Sequence, residues 1–274
     1  MPEKLQVADL HIHSNYSDGI YDVSFIVEKA IKQGISAISI TDHDTIDGCQ
    51  EAYNICKQKN LEYITGIEFS CFEELKEFHI LGYNFDPDYK PLKEHLKQFR
   101  IDRFERAEKM LLKLEKIGLK INIDSVMEVA GKSPIIRPHI ATALLNEGYV
   151  KTIKEAFQLY IGDWKLAYVP KQTFRVEKAI KLINNADGIA SLAHPGPFID
   201  QDDLYRMIQM GLDAIEVVHP IHDESLIKFY HSVASQYWLL ETGGSDYHGN
   251  RDFDEENFGK YYIPYSKYLS IKNN

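Results

Sequence analysis

The chain has 274 residues, with 31 Lys and Arg against 41 Asp and Glu, for a formal net charge of −10. That length fits one large α/β domain or two small ones, and 44% hydrophobic with 26% charged residues is an ordinary globular composition that excludes wholesale disorder. So acidic a chain is a poor clamp for long duplex DNA, which favours basic surfaces through counterion release.

Taken in chain order, the opening segment 1–5 lacks the basic-then-apolar signature of a signal peptide. No apolar run approaches the roughly 20 residues of a membrane span, so no membrane partner is expected. Strands are predicted at 5–13, 35–41, 61–69, 77–85, 188–194, 213–219 and 238–243. Between the first two, Phe25, Ile26, Ala30 and Ile31 form a helical stripe, with Asp22 or Ser24 as N-cap and Gly34 past its end. Cys49 and Cys56 fall in the next predicted helix; with Cys71 they form no CxxC and cannot all pair, which suits a reducing cytoplasm and buried thiols. Later stripes are Ala179, Ile180 and Ile183, then Leu204 and Ile208 stopping at Gly211, then Ile227, Tyr230, Val233 and Ala234. The alternation predicts a parallel sheet and, at this length, a barrel. Residues 89–169 break the rhythm with helices at 90–116, 124–130, 139–147 and 152–160. They read as an inserted helical subdomain between barrel parts 1–88 and 170–274.

Eleven histidines are the unusual feature, and several stand beside Asp or Glu. The first strand ends in His11-Ile12-His13. Strand alternation sends both imidazoles to one face, where they can share a metal ion, although plain polar residues at a strand exit would read the same. Ser17-Asp18-Gly19 follows as a turn, its Asp by default a cap or Asx-turn. The second strand runs out in Thr41-Asp42-His43-Asp44, which suits a metal ligand flanked by supporting carboxylates; Asp44 equally suits a helix cap. Glu68 closes an apolar run, where a bare carboxylate is costly without a cation or hydrogen bonds. His79 sits inside an apolar strand, as a satisfied core histidine would. His194 ends a strand just before Pro195, and the last strand enters Gly243–Gly249, whose Asp246 and His248 share a face if the chain stays extended. Individually weak, these residues together fall near the C-terminal ends of successive strands, which converge on one mouth in a parallel barrel.

The motifs DLHIHSNYSDG at 9–19, TDHD at 41–44, GIEFS at 66–70, HILG at 79–82, RPHIA at 137–141, AHP at 193–195 and GGSDYHG at 243–249 carry a resemblance. In content and order they resemble the PHP (polymerase and histidinol phosphatase) family over nearly the whole chain. The resemblance implies a distorted (β/α)7 TIM-like barrel and a metal-dependent phosphoesterase holding three divalent ions. It implies His11, His13, Glu68 and Asp246 on the first ion, Glu68, His79 and His194 on the second, and Asp18, His43 and His248 on the third. Mixed nitrogen and oxygen ligation suits Mn, Fe or Zn without choosing among them. Arg137 and His139 are implied as phosphate contacts from the inserted helices, with Lys171 a further cation. Where many relatives carry a basic residue after the Ala-His-Pro-Gly run, this chain has Pro197.

The expected reaction is hydrolysis of a small nucleotide's phosphomonoester, a nucleoside 3',5'-bisphosphate or mononucleotide, by a metal-bridging hydroxide without an amino-acid nucleophile. His222, near a strand exit, is a candidate for substrate contact or proton donation, and His219 for a structural place. The alternatives are a phosphodiesterase or 5'-3' exoribonuclease acting on short RNA, a cyclic-phosphate hydrolase, and a non-enzymatic metal-binding accessory module. Three divalent ions among three ligand carboxylates would leave the mouth positive on an acidic protein, which favours small phosphates over long nucleic acid. The oligomeric state stays open.

Overall fold

The computed structural model describes residues 6–73, 76–197 and 199–274, so the predicted strand start at Leu5 and the signal-peptide reading of 1–5 lie outside the described residues. In chain order come β1 (Val7–Ile12), α1 (Val23–Gln33), β2 (Ala37–Ile40), α2 (Cys49–Lys59), β3 (Glu62–Tyr63), β4 (Gly66–Glu73) and β5 (Lys76–Tyr83). Next are α3 (Lys90–Lys116), α4 (Ile123–Ala130), α5 (Arg137–Asn146) and α6 (Ile153–Ala156), the last continued by a π-helical turn at Phe157–Ile161. Then α7 (Val176–Asn184), β6 (Ile189–Leu192), α8 (Gln201–Gln209), β7 (Ala214–Val218), α9 (Glu224–Tyr237) and β8 (Leu240–Gly243) follow. The chain closes with α10 (Asp254–Asn257), β9 (Ile263–Pro264) and α11 (Tyr265–Lys272). Two compact units result: Met1–Lys93 with Phe174–Asn274, and Glu94–Thr173.

In the first unit, among the described residues, the ladders form a four-stranded sheet, β3-β2-β1-β9, and a five-stranded sheet, β4-β5-β6-β7-β8. β1–β2, β2–β3, β6–β7 and β7–β8 are parallel, whereas β4–β5, β5–β6 and β1–β9 are antiparallel. The fold is therefore mixed α/β, and antiparallel pairs interrupt the predicted run of parallel strands. The cause is local. Two residues separate β4 from β5, too few for a helical crossover, so the pair must be a hairpin. The sheets meet at two isolated parallel bridges, Ile12 with Tyr247 and His43 with Glu68.

One core cluster draws on strands of both sheets, with Ala8, Leu10, Ala37, Leu81, Tyr83 and Ala193 packed beside Tyr268 of α11. A second seats α1 and α2 on β1 and β2 through Val23, Ile26, Val27, Ala30, Ala52 and Cys56. Asp22 caps α1 by accepting from Phe25 N at 2.8 Å, and Gly34 ends it in the left-handed region. The buried stripe is rotated from the predicted one, leaving Phe25 and Ile31 each 42% exposed. Cys49, Cys56 and Cys71 are buried, free thiols.

The second unit is helical around Leu114, Val126, Ile140, Leu144 and Ile161. Asn122 caps α4 and Thr152 caps α6, while the π-helical turn replaces the second half of the helix predicted at 152–160. No helix among the described residues is long and apolar enough to cross a membrane.

Candidate metal centre

Glu68, fully buried on β4, gathers imidazoles from four other segments. Its Oε2 lies 3.3 Å from His11 Nε2, 3.1 Å from His13 Nε2 and 3.2 Å from His43 Nδ1. Its Oε1 lies 2.9 Å from His79 Nδ1 and 3.0 Å from His194 Nε2. Asp246 Oδ1 closes on His11 and His13 at 3.3 and 3.2 Å. Alongside, Asp18 Oδ1 is 3.2 Å from His248 Nε2 and 3.6 Å from His13 Nδ1, and Asp18 Oδ2 is 4.0 Å from His43 Nε2. Donor atoms of His11, His13, Glu68 and Asp246 lie within 4.8 Å of one another, as do those of His13, Asp18, His43 and His248, and those of His43, Glu68 and His79. The side chains implied as ligands by resemblance thus stand together, with His13 and His43 each reaching two groups.

Charge in the cluster is set by mutual pairing against burial. Burial opposes ionisation of Glu68, yet His43, His79 and His11 hold its carboxyl well below the usual range. Burial likewise opposes charge on Asp246 and Asp18, and the surrounding histidines hold both well below it. Burial also works against His13 and His79, but the facing carboxylates raise them to about 9 and about 10. Burial, joined by the like charges of His13 and His79, pushes His43 down to about 4 despite Glu68 and Asp18.

These residues fit divalent cations. His11 Nε2, both nitrogens of His13, His43 Nδ1 and Glu68 Oε2 are buried without hydrogen-bond partners, an arrangement too costly to persist unless something else satisfies them. Two tautomers point the same way. His11 Nδ1 donates to Glu216 Oε1 at 2.9 Å, and His248 Nδ1 to Asp246 O at 2.7 Å, so each presents the Nε2 lone pair inward. Backbone strain is stored here as well, with His194 at φ 28° and Asp246 at φ 51°. Gly244 permits the closest approach: a Cβ there would sit 2.4 Å from His11 N and 2.6 Å from Asp9 Oδ1.

A layer of carboxylates pins the loops that carry these groups. Asp9, raised to about 7 by burial despite its bonds from Ser245, accepts from Ser245 N at 3.0 Å and Ser245 Oγ at 2.7 Å. Asp44 accepts from Ser70 N and Oγ at 3.0 and 3.1 Å, so it ties β4 in place rather than capping α2, whose N-cap is Gly48. Asp42 accepts from Ser14 N at 2.7 Å and from the Ser14 and Ser17 hydroxyls, both at 2.6 Å. Asp42→Ala strands those donors in a buried site, so a loss of about 2–4 kcal/mol in denaturant unfolding is expected, with Asp42→Asn recovering part of it.

Sequence reading missed Glu216, fully buried on β7. Its Oε1 fixes His11, and its Oε2 accepts from His194 N at 2.7 Å. The available signal was the one that exposed Glu68: a carboxylate inside an apolar strand. His219 and His222 differ in how the backbone engages their rings. His222 donates from Nδ1 to Val217 O at 3.0 Å and accepts from Gly196 N at 3.1 Å, so both nitrogens serve the backbone and none is left for substrate. His219 Nδ1 accepts from Ile221 N at 3.2 Å, which places the ring proton on Nε2. That Nε2 is buried without a hydrogen-bond partner, 3.4 Å from Asp246 Oδ2.

Arg137, His139 and Lys171 belong to the unit Glu94–Thr173. Arg137 opens α5, with Nη1 2.6 Å from Asp163 Oδ1 and its guanidinium over the Phe157 ring at 5.6 Å. His139 Nδ1 accepts from Ile136 N at 3.2 Å in the first turn of the same helix. Lys171 is half-buried in the segment before α7.

The PHP domain matches residues 9–190. The chain belongs to the PHP family. As such it is a metal-dependent phosphoesterase, a hydrolase. It is 36% identical over 245 residues to a 5'-3' exoribonuclease of Haemophilus influenzae, covering 88% of this chain and 89% of that one. It is 31% identical over 254 residues to a 3',5'-nucleoside bisphosphate phosphatase of Chromobacterium violaceum, covering 89% of each. The structure of a protein described as a metal-dependent phosphoesterase from Bifidobacterium adolescentis superposes with a TM-score of 0.84 at 26% identity, over 99% of this PHP chain and 96% of that one.

Proposed function

We propose that this chain hydrolyses the phosphomonoester of a small nucleotide, a nucleoside 3',5'-bisphosphate or a mononucleotide. The observation that carries the reading is the buried Glu68 cluster, with its orphaned ring nitrogens and carboxylate oxygen directed at one another. In this reading His11, His13, Glu68 and Asp246 hold one divalent ion. Glu68, His79 and His194 hold a second, and Asp18, His43 and His248 a third, with Mn, Fe or Zn suited to the donor set. Such ions, when bound, acidify a coordinated water and polarise phosphoryl oxygens.

The chain's own residues do the rest. Glu216 keeps the proton of His11 on Nδ1 and so keeps Nε2 available. His219 offers an Nε2–H to a phosphoryl oxygen. It is not a ligand, because Ile221 N–H occupies the Nδ1 lone pair and leaves the proton on Nε2. Arg137, His139 and Lys171 keep their proposed phosphate-binding role on their chemistry alone. A net charge of −10 favours a small phosphate over a long polyanion.

A second reading, 5'-3' exoribonuclease action on short RNA, is favoured by the 36% identity to the Haemophilus influenzae protein. Steady-state kinetics with Mn-loaded protein decide between them. The first reading expects kcat/KM at least about tenfold higher on adenosine 3',5'-bisphosphate than on a 5'-phosphorylated RNA trimer. A reversed ratio would replace it with the second.

A further inference from the structure

Arg251 stands on the side chains that the proposed third ion would use. Its Nη2 is 2.6 Å from His248 Nε2 and 3.6 Å from Asp18 Oδ2, and its Nη1 is 2.9 Å from Asp246 Oδ2. Since His248 gives its Nδ1–H to Asp246 O, its Nε2 has one lone pair, and here that lone pair accepts from the guanidinium. The same lone pair is what a cation on Asp18, His43 and His248 would take. One lone pair takes one partner, so guanidinium and ion are alternative occupants of His248.

The loop is built to let the side chain move without the backbone. The N–H groups of Arg251 and His248 both donate to Asp254 Oδ2, at 3.0 and 3.1 Å, and Asp254 is buried. The Arg251 side chain, by contrast, is 45% exposed. A displaced guanidinium stays tethered next to the cluster, and it is a planar fork suited to two oxygens of a phosphate. The position after the Ala-His-Pro-Gly run, where a basic residue could have supplied that contact, is Pro197.

We propose that Arg251 is a two-position cation, resting on His248 and Asp18 until the third ion enters and then turning to bind the phosphate of the substrate. This rests on the three-ion reading above. The test uses the full chain with Arg251→Gln and Arg251→Lys. Calorimetric titration of the metal-free proteins with Mn²⁺ counts the bound equivalents and their affinities. Kinetics on adenosine 3',5'-bisphosphate at saturating Mn²⁺ give KM and kcat.

Arg251→Gln is expected to bind the third equivalent about tenfold more tightly, because a competing positive charge is gone. It is also expected to raise KM about 10–100-fold with a smaller change in kcat, through loss of the bidentate contact, with Arg251→Lys intermediate on both readouts. An unchanged third affinity, or an unchanged KM, overturns the role of Arg251 and leaves the three ions in place. Two equivalents and no third in wild type and Arg251→Gln alike overturn the three-ion reading and this inference with it.

Discussion

Glu68→Gln should lower kcat/KM on a nucleoside 3',5'-bisphosphate by about 10³–10⁵-fold and should strip at least two of the proposed ions. The substitution preserves volume and shape, so its effect isolates charge and lone pairs. The wild-type carboxylate faces His11, His13 and His43 through one oxygen and His79 and His194 through the other, all within 3.3 Å. An amide removes the negative charge that balances those rings and turns one acceptor edge into N–H donors. Glu216 cannot take its place, because its two oxygens are committed to His11 Nδ1 and to His194 N. Metal analysis after gel filtration, run beside the kinetics, is the check. A variant that retained the full metal complement and activity within tenfold of wild type would remove Glu68 from the centre of the site.

What the sequence made legible, and what it hid, follows from how far each interaction reaches along the chain. His11 and His13 were readable because strand periodicity alone places neighbours two apart together, and their ring centroids lie 5.2 Å apart. Glu68 was readable because a carboxylate in an apolar strand needs a reason. Glu216 carried the same signal, but its partner His11 is 205 residues away, and no spacing rule connects them. The tautomers of His219 and His222 depend on which backbone groups face each ring, and no sequence spacing reports those groups. On the fold side, the alternation of strands and helices is right in kind, but the direction of β5 is not what it predicts. Pattern counts elements, whereas the two-residue β4–β5 connection decides direction. The two-residue β9 and the α11 that follows it escaped because so short a strand has no period, although Tyr268 and Ile271 of α11 are fully buried.

His219→Ala should lower kcat by about 10²–10³-fold while leaving the bound metal unchanged, as removal of one preorganised N–H donor does elsewhere. The two halves of that expectation separate a donor from a ligand. Donor atoms of His219, His11 and Glu216 lie within 4.8 Å of one another, so geometry alone would also admit a cation there. The hydrogen bond from Ile221 N excludes it, since a ring that accepts at Nδ1 has its proton at Nε2 and no lone pair to coordinate with. His219→Gln, which can bring an amide N–H near the same place, should recover part of the loss, and a long-range ¹⁵N–¹H imidazole spectrum of the wild type should show Nε2 protonated and Nδ1 bare. His222→Ala should behave oppositely. It abandons Val217 O and Gly196 N, so it should destabilise the fold by about 1–3 kcal/mol with little change in kcat for the protein that remains folded. If His219→Ala instead lost an equivalent of metal, His219 would be a ligand and its hydrogen bond from Ile221 would have to break on binding. If His219→Gln were as slow as His219→Ala at full metal loading, the ring would be acting through its shape, and the donor role would be wrong.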